Sequence, residues 1–191
     1  MEFEKVIQQR RTIRSFRQVP VADSEVEAMI DAARRSSCAA NLQPLRYVVA
    51  RTPEAAARLL PCTKWAGFIA PARTPRPGVD APPVFIAVTA PAAANDNVLA
   101  DAGAAIQSMQ LAAWNLGIGC CWIGSVDREK AAEILEIPAD QRLLYLVAAG
   151  YPAEEPVGED TANPEALKYY LDGADVLHVP KLTTEALTRW M

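Results

Sequence analysis

The sequence predicts one domain of mixed α and β structure. Its 191 residues suffice for one substantial core and are too few for two ordinary domains. At 51% hydrophobic and 22% charged residues, the composition is that of a globular chain. Segments of helical period alternate with short apolar runs, and there is no internal repeat and no low-complexity tract.

Residues 2 to 9 carry Phe3, Val6 and Ile7 at helical spacing and run into Arg10 and Arg11, after which β-branched Thr12 and Ile13 disfavour continuation. Ser24 and Glu27 have capping-box spacing, and Val26, Met29, Ile30 and Ala33 share a face, so 24 to 36 reads as an amphipathic helix. LRYVVAR, 45 to 51, reads as a strand; Thr52 and Pro53 then start a helix to about Leu60. Between Pro61 and Pro83 lie six of the 15 prolines with no lasting period, which predicts a loop or lid. VFIAVTA, 84 to 90, is apolar enough for the middle of a covered sheet. Asn95, Asp96 and Asn97 offer caps to a long helix over 98 to 116, closed by Gly117. That helix is rich in alanine, which predicts burial with room for another backbone. IGCCWI, 118 to 123, reads as a second central strand, and Asp127 caps a helix that stops at Ile137 and Pro138. LLYLVAAGYP, 143 to 152, reads as a third strand, Asn163 and Pro164 as the start of a helix to about Leu171, Asp172 and Gly173 as a turn, and Thr183 or Thr184 as the cap of a final helix.

The formal charge of -4 leaves no basic excess to neutralise a run of phosphates, so nucleic acid is not the expected partner. No apolar stretch approaches the roughly 20 residues that cross a bilayer. The charges of MEFEKVIQQRR stand in the wrong order for a secretory signal, which predicts a cytoplasmic protein. Cys38, Cys62, Cys120 and Cys121 form no CxxC pair and read as reduced thiols; adjacent Cys120 and Cys121 should point to opposite faces of a strand. One histidine, His178, in the extended-looking VLHVPK, supports neither a metal site nor a hydrolytic triad and reads as a surface or packing residue.

Three patches carry chemistry. Arg10, Arg11, Thr12 and Arg14 crowd three cations and a hydroxyl beside a helix end, as an anion site or as a solvated basic turn. No GxGxxG or GxxxxGK[ST] accompanies them, so any phosphate there is held by side chains. Ser36 to Pro44 places small residues before the carboxamides of Asn41 and Gln43, which complement a heterocyclic edge or serve as a plain connector. Ile123 and Gly124 end a strand where a backbone N–H can approach a planar ligand, although such glycines are common.

In order, these patches resemble the nitroreductase family. RRTIRSFRQVPV is similar to its RRSxRxFxxxPV opening, AANLQPLRYVV to SxxNxQPWxF, and DAGAAIQSMQLAAWNLGIGCCWIG to DxGxAxQNxxLAAxxxGLGxxWIG. GYPAEEP and VLHVPKLTTEAL match its later segments, and only 61 to 83 is poorly matched. The resemblance implies a three-layer α+β sandwich over residues 1 to 191, with a mostly antiparallel central sheet flanked by helices, forming an intertwined homodimer with FMN in clefts between subunits. It places Arg10 and Thr12 on the FMN phosphate and ribityl chain with Arg11 assisting, Lys181 as a second phosphate charge, and Arg14 at the pyrimidine N1 and O2 edge. From the other subunit, Cys38, Asn41 and Gln43 line the flavin, and the Ile123 to Gly124 backbone reaches N5 or O4. The activity it implies is ping-pong hydride transfer from NAD(P)H through FMN to a nitroaromatic, quinone or similar electrophile. Alternatives are a specialised relative such as a reductive dehalogenase or flavin-consuming enzyme, an FMN-sequestering module, and a dimer without cofactor. Ser37 and Cys38 stand where many members have Pro-Ser, and Leu45 replaces a common aromatic. The 61 to 83 segment, with Trp65, Phe68, Arg73 and Arg76, is either a wall of the acceptor pocket or an inert surface loop.

Overall fold

A computed structural model describes residues 2–191. Its centre is a four-stranded, wholly antiparallel sheet of β1 (Arg46–Ala50), β2 (Val84–Pro91), β4 (Gln141–Gly150) and β3 (Gly119–Ile123), in the spatial order β1-β2-β4-β3. The first seven residues of β2 are buried, so both faces of this strand must be covered. The two-residue period then divides them: Val84, Ile86, Val88 and Ala90 join one apolar cluster, Phe85 and Ala87 the other.

The first cluster is covered by α2 (Asp23–Arg34) and α4 (Asn97–Asn115), through Val26 and Met29 of α2 and Ile106 and Met109 of α4. The second lies under α3 (Pro53–Leu59), α5 (Arg128–Ile134) and the 61 to 83 segment, and includes Ile13, Phe16, Leu59 and Trp65. Helices, sheet and helices thus stack as three layers. Each fully buried side chain of the size of Ile106 or Met109 contributes about 1.5–3 kcal/mol. α1 (Phe3–Gln9) leans on α4. The chain ends in a smaller sheet in which β7 (Leu177–Leu182) pairs in parallel with β5 (Val157–Thr161) and antiparallel with β6 (Tyr170–Leu171), followed by α6 (Thr184–Leu187). No described helix is long and apolar enough to cross a membrane.

Most elements lie where the sequence puts them, and the departures have local causes. α2 starts at Asp23, because Glu25 and not Glu27 accepts the Ala22 N–H, at 2.8 Å. β3 is an edge strand of its sheet rather than a central one; its residues are nearly all buried because the N-terminal segment covers it, Ile13 N–H donating to Cys120 O at 3.0 Å. Cys120 and Cys121 do face opposite clusters. α5 stops at Ile134, and Glu136 takes a left-handed φ of 52°. No helix forms over 163 to 171: Asn163 Oδ1 accepts the Glu165 N–H at 2.9 Å in a tight turn, the residues after it are mostly exposed, and Tyr170 and Leu171 pair with β7 instead. The small-residue helix α4 buries one face only; Leu99 and Gln107 stay open on the single chain.

Candidate functional site

The arginine patch begins where α1 ends. Beyond Gln9 the chain runs extended, Thr12 forms a bridge with Cys120, and fully buried Ile13 and Phe16 pin the segment to the core. Arg10, Arg11, Thr12 and Arg14 are consequently held half-buried between these anchors. Arg10 Nη1 donates to Gln110 Oε1 of α4 at 3.1 Å, and Arg11 Nη1 donates to the Arg10 carbonyl at 2.8 Å. Arg11 packs so tightly on Gly158 that a β-carbon there would overlap its guanidinium, and its buried Nε has no partner among the described residues. The Arg14 guanidinium lies 4.9 Å from the centre of the Tyr169 ring.

None of these three guanidinium groups meets a carboxylate among the described residues. For Arg10 the consequence is electrostatic: burial, and then repulsion from Arg11, hold its pKa below the usual value, opposed by Cys120. The Cys120 thiol is itself pushed up to about 12 by burial. The patch is therefore a desolvated positive centre that an anion would relieve.

The second patch is shaped by backbone strain. Ala40, Asn41 and Gln43 all have left-handed φ, of 49°, 53° and 49°. Asp101, a buried carboxylate on α4, holds the turn by accepting the Ala39 N–H at 2.8 Å and the Cys38 thiol at 3.4 Å. Gln43 N–H donates to Cys38 Sγ at 3.1 Å, and its Nε2 donates to Asn41 Oδ1 at 2.9 Å. Asn41 and Gln43 remain exposed, whereas Cys38, Gln43, Tyr47 and Asp101 line a cleft of about 180 Å³. At the third patch the Ile123 side chain belongs to the core, so only its backbone and exposed Gly124 are presented. Beside them Trp122, 39% exposed, stands edge-on to Tyr145 with ring centres 5.1 Å apart.

Asp101 and Gln110 are nine residues apart on α4, a rise of about 13 Å. Among the described residues no hydrogen bond or ion pair joins Cys38, Asn41 or Gln43 to the arginine patch, and Lys181 lies exposed on β7 beside Asp160 of β5. One chain thus keeps the two patches apart, tied to different turns of one helix.

Three organising residues, Asp101, Gln110 and Glu154, lie within DAGAAIQSMQLAAWNLGIGCCWIG and GYPAEEP but receive no role from the resemblance. Asp101 and Gln110 occupy the stripe of α4 that also holds Ala102, Ala105, Ile106, Met109 and Ala113, and a polar residue on such a stripe is the signal that could have found them. The signal for Glu154 is its place in GYPAEEP, one of the segments that resemble the family's. Its Oε1 accepts the Arg14 and Ser15 N–H groups at 2.5 and 3.1 Å, and its Oε2 accepts Arg73 Nε at 2.9 Å. Burial opposes the Arg73 cation, but hydrogen bonds to Asp175 and Glu154 outweigh it and raise its pKa. Through that pair the proline-rich segment is fastened to the arginine patch. Within the segment Trp65 and Ala66 are buried and Arg73 is largely enclosed, while Phe68 is exposed.

The family model described as the nitroreductase family matches residues 7–151. A protein of Archaeoglobus fulgidus, named as a candidate NADH dehydrogenase/NAD(P)H nitroreductase, is 29% identical over 170 residues, 85% of this chain and 94% of that protein. An FMN reductase (NADPH) of Bacillus subtilis is 40% identical over 57 residues, which is 29% of this chain and 23% of that protein. Among solved structures, an FMN-dependent nitroreductase of Clostridium difficile superposes with a TM-score of 0.67 at 25% identity, covering 80% of this chain and 88% of that one.

Proposed function

The chain belongs to the nitroreductase family, and from that premise we propose that it binds FMN between two copies of itself and carries a hydride from NAD(P)H to a small electrophile such as a nitroaromatic or quinone. The observation that carries this reading is the uncompensated charge of the arginine patch. Arg10 is desolvated and pressed by Arg11, Arg11 keeps a buried N–H without a partner, and neither faces a carboxylate among the described residues. A doubly charged phosphate is the complement of such a donor set. The cofactor's residues fit in the other patches as well: strained turn 38 to 43 leaves two carboxamides exposed, and Gly124 leaves a strand-end backbone open.

When bound, FMN would supply the two-electron chemistry between NAD(P)H and an acceptor. The protein's part is binding, orientation and electrostatics. Arg10 and Thr12, with Arg11 and with Lys181 from the tail, hold the phosphate and ribityl chain. Arg14, its backbone N–H fastened by Glu154, would set a permanent positive charge beside the pyrimidine edge and so favour the reduced, anionic flavin. Cys38, Asn41 and Gln43 of the second copy would supply the facing wall, and the Ile123 to Gly124 backbone would meet the central ring. Dimerisation is what unites half-sites that one chain keeps apart. The open face of α4 and the exposed Phe3, Ile7 and Trp190 are apolar surface available for it.

The test is a visible absorption spectrum after incubation with FMN and desalting, followed by anaerobic mixing with NADH or NADPH. A bound yellow flavin that either nucleotide bleaches, and that a quinone or nitroaromatic restores, meets the proposal. Colourless protein refutes it, and flavin that neither nucleotide reduces leaves only a sequestering module.

A further inference from the structure

Three polar or charged residues are buried among those described: Thr89, Asp101 and Gln110. Thr89 answers a local need, donating to Gln141 Oε1 at 2.6 Å across the sheet. Gln110 is different. It is 5% exposed, lies on the core-facing stripe of α4, and its carbonyl oxygen reaches across 100 residues of sequence to Arg10 Nη1. A buried amide in that stripe costs desolvation and contributes nothing to apolar packing, so its partner must account for it.

A cation as desolvated as Arg10 would ordinarily be matched by a carboxylate. At this position stands the neutral isostere. An amide oxygen fixes the direction of one guanidinium amino group and leaves the positive charge uncancelled, whereas a carboxylate would both fix and neutralise it. We propose that Gln110 is a positioning residue for the phosphate of the cofactor: its neutral carbonyl sets the Arg10 fork so that the remaining donors and the whole charge are kept for the incoming phosphate. This rests on the FMN reading above and deepens it by assigning a residue to which the resemblance gives no role.

The experiment compares FMN with riboflavin, which lacks the phosphate, by fluorescence titration of the full-length protein and of Gln110→Glu. The carboxylate is expected to raise the FMN dissociation constant by about tenfold or more, as a charge-assisted bond diverts Arg10, and to leave that of riboflavin within about twofold. A merely structural role moves both ligands together, so equal losses, or an unchanged FMN constant, overturn the assignment. Gln110→Met, which removes the acceptor at similar volume, keeps the test open if a buried carboxylate disturbs the core. It is expected to weaken FMN by roughly threefold with riboflavin unaffected, and parallel losses again overturn the proposal. Unaltered protein that binds riboflavin and FMN equally well also overturns it, since no phosphate is then being read. Unaltered protein that takes up neither flavin instead defeats the cofactor reading, and this inference with it.

Discussion

Gly119→Ala tests how the arginine patch is seated. Gly119 opens β3 opposite Gly150, and a β-carbon there would stand 2.4 Å from Ile13 Cγ1, 2.7 Å from its Cβ and 3.1 Å from its Cγ2. Carbon pairs rest at about 3.5–4.0 Å. Ile13 is fully buried and its Cβ is fixed to the backbone, so no change of rotamer relieves the clash. The segment from Thr12 to Arg14 must retreat by about 1 Å, which stretches the 3.0 Å bond from Ile13 N–H to Cys120 O toward the limit of hydrogen bonding. Overpacking of this kind costs about 1–3 kcal/mol and a lost hydrogen bond about 1 kcal/mol, so the expected destabilisation is about 2–4 kcal/mol. For a chain of this length that corresponds to a fall in Tm of roughly 4–16 °C. Urea denaturation measures the free energy, and FMN retention should fall with it because Ile13 lies between Thr12 and Arg14. A second variant isolates the contact: Ile13→Ala removes Cγ1 and Cγ2, so the double substitution should be less destabilised than the sum of the singles by about 1 kcal/mol or more. Gly119→Ala within about 0.5 kcal/mol of the parent would refute the reasoning.

Arg10→Ala removes the central phosphate charge and should weaken FMN binding by about 1.5–3 kcal/mol in a fluorescence titration; unchanged affinity counts against the site. His178 is held by Asp172 at 3.1 Å and by Glu159 at 2.5 Å, with Tyr170 stacked on its ring, and those two acceptors raise its pKa. The stabilisation of the C-terminal sheet is therefore complete below the ordinary imidazole value of 6.5 and is lost as pH rises through the raised one. Asp172 is lowered by the backbone N–H of Val176 and then by His178, so its own contribution is lost only as pH falls through that depressed value. Proton NMR of the chain's one histidine should show a titration midpoint above 6.5, and a midpoint at or below it contradicts the clasp. Burial pushes the thiols of Cys120 and Cys121 up to about 12 and about 11, and raises that of Cys62, while Cys38 alone is not buried. A disulfide reagent at pH 8 should accordingly titrate one thiol in the folded protein and four in urea; two or more fast thiols in the folded protein would contradict this burial.

Elements whose pattern is dense were legible in the sequence. β2 and β4 read as strands because no charged residue interrupts the runs VFIAVTA and LLYLVAAG, and α4 reads as a helix because asparagines, small residues and Gly117 punctuate a 19-residue stretch. Thr52, Asp127 and Thr183 accept backbone N–H groups at helix starts as their types suggest. Where the pattern was thin, local chemistry misled. Asn163 and Pro164 look like a helix start, but a cap is effective only when the turn after it packs on a core; 163 to 168 stay exposed, and Tyr170 and Leu171 are taken by pairing with β7. IGCCWI looks central because it is apolar throughout, yet hydropathy cannot separate a strand covered by neighbouring strands from an edge covered by an extended segment.

By itself the sequence determined the kinds of element, their order, and the three patches that carry chemistry, because propensity, period and residue type act over a few neighbouring positions. Tertiary structure alone decided what holds those patches. Gln110 meets Arg10 across 100 residues, Glu154 meets Arg14 across 140, and Asp101 meets Ala39 across 62. A buried polar group takes whichever partner packing brings within about 3 Å, and no local rule of sequence states which partner that will be.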